Sequence, residues 1–180
     1  AYGSAAFSSG EYQIINMNDS AIIGGDSYYA AADPLTGNGY IGIVASSPLK
    51  LAMSGSAKIA GNGNRGSRDS EYSGGTSGLY LTRTVNRNSQ SDYANVELKD
   101  QASICGNKGG LYTPSIDLSY YVNTPNDCII TLQETALGRP SVKDNGSPVY
   151  LGEQSTLKLV GSVHLGKTGD YSVYSYGYLE

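Results

Sequence analysis

Apolar residues recur at every second position along this chain in short runs, and nowhere do they keep a helical spacing for more than about 12 residues. Alternation of that kind turns one face of an extended strand to a core and the other to water. The runs are bounded by Gly, Pro, Asn and Asp, the residues that turn a chain. "EYQIINM" at residues 11–17 is the first, followed by "GYIGIVAS" at 39–46 and "PLKLAMSGSAKIAG" at 48–61, where Leu49, Leu51 and Met53 share a face. "GLYLTRTV" at 78–85 and a short, edge-like "ANVELKD" at 94–100 come next. "SIDLSYYV" at 115–122 and "CIITLQET" at 128–135 read as a hairpin joined through "NTPNDC". "PSVKDNGSPVYL" reads as a second hairpin about Asp144, Asn145 and Gly146, residue types that accept a positive φ. "STLKLVGSVHL" at 155–165 reads as one long strand, with Leu157, Leu159, Val163 and Leu165 inward and His164 outward. Successive strands without helices between them predict an all-β fold: a single antiparallel β-sandwich, immunoglobulin-like or jelly-roll-like, with no internal repeat. Residues 61–78, Gly- and Ser-rich with almost no apolar side chain, read as a long mobile loop. The domain is expected over residues 11–180, behind an N-terminal extension of residues 1–10.

Only 16% of the residues are charged, with a formal net charge of -4, and this argues against a nucleic-acid partner. The one basic cluster, Arg65, Arg68, Arg83 and Arg87, is interleaved with Asp69 and Glu71 and reads as a solvated loop face. No stretch approaches the roughly 18 apolar residues of a membrane helix, so no membrane span is expected. The chain opens on Ala1 and Tyr2 without Met, as a chain does after a signal peptidase cut, and an extracellular or cell-surface location is expected. Two cysteines, Cys105 and Cys128, in a Ser-, Asn-, Gly- and Tyr-rich chain suggest one disulfide, which would stabilise the fold by about 3 kcal/mol.

The residues offer little to catalysis. The single histidine, His164, falls on an outer strand face, and neither cysteine reads as a nucleophile. Carboxylate pairs such as Asp69 with Glu71, or Glu97 with Asp100, read as loop solubility. No phosphate-binding glycine loop is present. The chain is therefore expected not to be an enzyme, and no cofactor is expected. The oxygen-rich turns "NMNDS" at 16–20 and "KDNG" at 143–146 are where Ca2+ would bind, although neither has the spacing of a known calcium loop. Sequons at Asn18 and Asn145 occur at about the chance frequency.

The last residues, "TGDYSVYSYGYLE", alternate with Tyr171 and Val173 on one face and Tyr174, Tyr176 and Tyr178 on the other. Together with the Gly-bounded "GSPVYLGEQSTLKLVGSV" ahead of them, they resemble the closing strands of bacterial pilus subunits of the chaperone-usher kind and related fimbria-like domains. The resemblance covers about the last 35 residues. It implies an incomplete immunoglobulin-like sandwich, completed when a neighbour's N-terminal extension inserts as a strand. The mid-chain cysteines depart from that pattern. In the N-terminal segment Ala5 with Phe7, or Tyr12 with Ile14, could fill such a groove; the alternative is that residues 11–17 are the domain's own first strand and 1–10 a frayed tail. The resulting expectation is a structural subunit of an extracellular filament, pilus or surface layer, a homopolymer built by strand addition. Its alternative is a secreted carbohydrate- or surface-binding adhesin or lectin-type module whose Tyr, Asn and Asp contact host or surface glycans.

Overall fold

The computed structural model describes residues 5–7, 13–25, 42–45, 49–62, 77–81, 94–107, 109–112, 128–145, 149–152, 155–166, 173–175 and 177–180. These form strands that repeat in threes, and the described connections between them are tight corners. The first coil holds β1 (Ala5–Phe7), β2 (Gln13–Met17) and β3 (Ile22–Gly24); the second β4 (Ile43–Ala45), β5 (Leu49–Met53) and β6 (Lys58–Ala60). The third holds β7 (Ser77–Leu81), β8 (Ala94–Lys99) and β9 (Ser103–Cys105); the fourth β10 (Gly109–Tyr112), β11 (Cys128–Gln133) and β12 (Ser141–Lys143). The fifth holds β13 (Val149–Leu151), β14 (Ser155–Val160) and β15 (His164–Gly166), and β16 (Val173–Ser175) and β17 (Tyr178–Leu179) begin a sixth. Each strand pairs in parallel with the strands three places before and after it, giving sheet A (β1-β4-β7-β10-β13-β16), sheet B (β2 to β17) and sheet C (β3 to β15). Three parallel sheets wound in this way make a parallel β-helix.

The alternation seen in the sequence supplies the core. Register places Ile15, Leu51, Val96, Ile130 and Leu157 in one inward column of sheet B, and Met17, Met53, Leu98, Leu132 and Leu159 in the next. Sheet C adds Ile23, Ile59, Ile104, Val142 and Leu165. The middle members of these columns are fully buried, and each stabilises the fold by about 1.5–3 kcal/mol. Like side chains stack on like because each coil repeats the backbone path of the one before.

The expected antiparallel sandwich is thus corrected to an all-parallel helix. Period-2 alternation reports which face of a strand is buried and is silent on the direction of its neighbour. The hairpin expected about Asp144 does not form, because β12 lies in sheet C and β13 in sheet A. Residues 155–165 are not one strand: the chain turns at Gly161, where φ is 75°, and passes from sheet B to sheet C. The segment at 48–61 likewise breaks at Gly55. Of the expected loop at 61–78, Gly61 and Asn62 form a corner and Ser77 and Gly78 open β7, while 63–76 lie outside the described residues. The hairpin at "NTPNDC" and the arginine cluster also lie outside them.

The disulfide is corrected as well: both cysteines are free. Cys105 closes β9 in sheet C beside Ala60 and Lys143, whereas Cys128 opens β11 in sheet B beside Ser155. Desolvation pushes the Cys128 thiol up to about 12, so it stays protonated and unreactive at neutral pH. A reductant is therefore expected to leave the melting temperature unchanged, and both thiols should alkylate only once the protein is unfolded. A drop in melting temperature with dithiothreitol would contradict this.

Two kinds of corner hold the coils together. Between sheets B and C the residues Asp19, Gly55, Asp100 and Gly161 adopt positive φ, a conformation open to Gly and tolerated by Asp. A Cβ on Gly55 would lie 2.8 Å from the Asp19 Cα, so only glycine lets these coils close. After sheet C comes a ladder of buried asparagines, Asn62, Asn107 and Asn145. The Asn107 oxygen accepts from the Asn62 amide nitrogen at 2.8 Å and from its main-chain N–H at 3.1 Å. Asn107 Nδ2 donates to the Ile59 carbonyl at 2.9 Å and to Asn145 Oδ1 at 3.0 Å. Asn145 repeats the pattern, donating to Ile104 O at 2.9 Å. Its sequon is thereby committed to the interior, whereas Asn18 stays exposed and accepts from the Ser54 hydroxyl.

Candidate functional site

Those of the contact residues expected from the sequence that the structure describes lie at the two opposite ends of the helix. Ala5 and Phe7 belong to β1, paired with β4 as the outermost strand of the chain's own sheet A. Ile14 lies in β2, the outer strand of sheet B, with its side chain 61% exposed. At the far end Val173 and Tyr174 lie in β16, Val173 packing against the core, and Tyr178 stands exposed in β17. Tyr12, Tyr171 and Tyr176 lie outside the described residues.

At the far end a core column lies exposed among the described residues. Leu179 is the register partner of fully buried Leu157 and so continues the inward column of sheet B, yet it is 60% exposed because no further strand covers β17 among the described residues. β17 is well seated on its inner side: Leu159 N–H donates to the Glu180 carbonyl, Glu180 N–H to that of Leu157, and Lys158 Nζ meets the Glu180 carboxylate at 2.7 Å. The outer edges of β2 and β3 are likewise unpaired among the described residues.

A second feature is a groove of about 400 Å³ along the corner between sheets B and C, walled by Asp19, Asp100, Gln101 and Leu137. Asp100 knits three coils here. Its carboxylate accepts from Gly55 N–H at 2.9 Å in the second coil and from the Thr135 hydroxyl in the fourth. Glu134 accepts from Ser162 N–H at 2.7 Å in the fifth coil and from Arg139 Nε at 2.9 Å. The Thr135 hydroxyl, then the Gly55 N–H, hold the Asp100 carboxyl below its ordinary range; the Ser162 N–H, then Arg139, do the same for Glu134. A carboxyl depressed by folding contributes stability that is present above its unfolded pKa of about 4 and is lost as pH falls through the lower folded value. The melting temperature should therefore drop on the acid side of about pH 4, and Asp100→Asn, which keeps the positive-φ turn, should flatten that drop. Identical acid profiles for the two proteins would show that Asp100 does not carry it.

Sequence reasoning missed the ladder and one further row. Tyr80, Tyr112, Tyr150 and Tyr174 occupy a single register position in successive coils of sheet A. Tyr80 sits between buried Leu79 and Leu81, and Tyr150 between buried Val149 and Leu151, so both are on the outward face. The repeated "Ala-x-Ile-small-Gly-Asn" at 57–62 and 102–107 was the available signal for the ladder. His164 is exposed, as the alternation predicted. Asp19 and Asp144, the carboxylates of the two oxygen-rich turns, lie at different corners, and among the described residues no three His, Cys, Asp or Glu side chains come together to hold a metal. Among the same residues no helix is long and apolar enough to cross a membrane. With the geometry in view, the chain matches no protein-family model, no curated protein and no solved structure.

Proposed function

We propose that this chain is a non-enzymatic structural module of an extracellular or cell-surface assembly, lengthened by adding coils end to end between copies. The carrying observation is the unfinished column at Leu179, 60% exposed beneath fully buried row-mates. In a parallel β-helix the two ends have opposite polarity, so the first coil of a second copy continues the ladder of the last coil of the first. Continuing the register sets Leu179 against Ile15 and Tyr178 against Ile14 of the next copy. Among the large apolar side chains exposed in the single chain, Ile14, Tyr178 and Leu179 lie at this junction. Such a head-to-tail contact is heterologous and does not close, so it builds filaments rather than dimers. The route differs from insertion of a donor strand into a sandwich, because whole coils stack. The low charge and the Tyr-, Asn- and Gly-rich composition support a surface location; the free thiols contribute nothing to it.

Sedimentation velocity and negative-stain microscopy over a concentration series test the reading. The expected result is rods of constant width whose length grows with concentration. A monodisperse monomer at every concentration, or a dimer that never lengthens, would rule it out.

A further inference from the structure

We infer that the groove at the corner of sheets B and C is a binding site for a neutral, hydroxyl-rich saccharide. Its shape comes from one insertion. The fourth coil's corner runs from 134 to 140, longer than 18–21, 54–57, 100–102 and 161–163 at the same place in the other coils. The added residues fold back on a bridge between Thr135 and Gly138 and carry Leu137 at the tip, 72% exposed. Two side chains of the third coil fix this overhang: Gln101 Nε2 donates to the Leu137 carbonyl at 3.1 Å, and the Thr135 hydroxyl donates to Asp100. Beneath it the first two coils carry the small residues Ser20, Gly55 and Ser56 beside Asp19, so the floor is low and the groove stays open. At ~4.8 Å per coil the four coils span ~14 Å, the length of two or three sugar rings, and about 400 Å³ falls within the usual size of a small-ligand site.

The lining selects the ligand. Asp19, at one end, has a carboxylate with no hydrogen bond or ion pair to any described residue, while both Asp100 oxygens are already engaged. Gln101 gives one of its two amide hydrogens to the overhang, which turns its nitrogen that way and presents its oxygen to the groove. Acceptors therefore dominate, and sugar hydroxyls are donors. Leu137 gives the C–H face of a ring an apolar surface. Among the described residues no Lys or Arg lines the groove, so a phosphate or carboxylate ligand finds no counter-charge in them. Along the groove β2, β5, β8 and β11 are paired to one another, so an extended peptide meets an open strand edge only at its Asp19 end, on the outer side of β2 and β3.

The test is an amide NMR titration of the intact chain with maltotriose, cellotriose, mannotriose and tri-N-acetylchitotriose, with spermine as a cationic comparison. With at least one trisaccharide, the resonances of residues 19–20, 55–56, 100–101 and 137 should move together and saturate. Leu137→Ser and Asp19→Asn should each weaken that binding about fivefold, because one loses the apolar wall and the other a charge-assisted bond. Tyr178→Ser, at the far end, should leave it unchanged. The inference is overturned if no trisaccharide moves these resonances at about 10 mM, weaker than any useful affinity. Binding of spermine alone, saccharide shifts confined to the tyrosine row of sheet A, or full affinity in both groove variants would overturn it equally.

Discussion

Asn107→Ala is expected to lower the unfolding free energy by about 3 to 5 kcal/mol, the largest loss from any single polar side chain described here. The side chain is buried and joins three coils: its oxygen accepts twice from Asn62, and its nitrogen donates to Ile59 O and Asn145 Oδ1. Alanine leaves the Asn62 N–H and the Ile59 carbonyl without these partners, and each orphaned buried group costs about 1–3 kcal/mol. A linear array of coils depends on contacts between neighbours, so the damage should also be local. Urea unfolding followed by circular dichroism should show an earlier and broader transition, and Asn18→Ala, at an exposed position, should change the midpoint little. A loss below about 1 kcal/mol would mean that water replaces the ladder bonds and that the ladder contributes far less than its geometry implies.

Tyr178→Asp combined with Leu179→Asp is expected to weaken end-to-end association by at least about a hundredfold. Covering Leu179 with a neighbour's coil is worth about 1.5–3 kcal/mol, one to two powers of ten in an equilibrium, and a carboxylate in its place would in addition have to be desolvated there. The variant monomer should melt as the parent does, because both residues are exposed in the single chain. Polarity gives a sharper readout. A second protein blocked at the other end, Ile14→Asp with Ile15→Asp, should also fail to polymerise alone. Mixed, the two blocked proteins retain one good end each and should form a dimer and nothing longer. If either blocked protein still assembles by itself, the contact is not head-to-tail.

The strands were legible in the sequence, and their arrangement was not. Gln13–Met17, Leu49–Met53, Cys128–Gln133 and Ser155–Val160 all fall on runs that alternate, because alternation is dictated by which side chains meet the core. Partner choice is a long-range property. The column Met17, Met53, Leu98, Leu132 and Leu159 is unevenly spaced in sequence, widest between Met53 and Leu98 and narrowest between Leu132 and Leu159, so no fixed period betrays the repeat. The segments between strands differ in length while the strands keep register. The disulfide failed for a related reason: two cysteines suggest a bridge only if the fold brings them together, and sheets B and C do not. The groove was hidden because its walls come from four separate coils. The exposed end strands were visible in outline, since Ile14 and Tyr178 sit in segments already marked by their alternation.

The ladder also determines how the molecule would respond to tension. In a parallel β-helix the hydrogen bonds between strands run along the long axis, so a pull on the two ends loads one outer coil at a time, as a zipper is loaded, and never shears a whole sheet at once. Extension should then proceed in steps, each freeing one coil; a coil such as that from Met17 to Met53 would release ~12 nm of chain. The asparagine rungs clamp the second, third and fourth coils, so these should yield last and at higher force than either end. A rod of this kind would dissipate load by fraying from its tips while its middle stays wound.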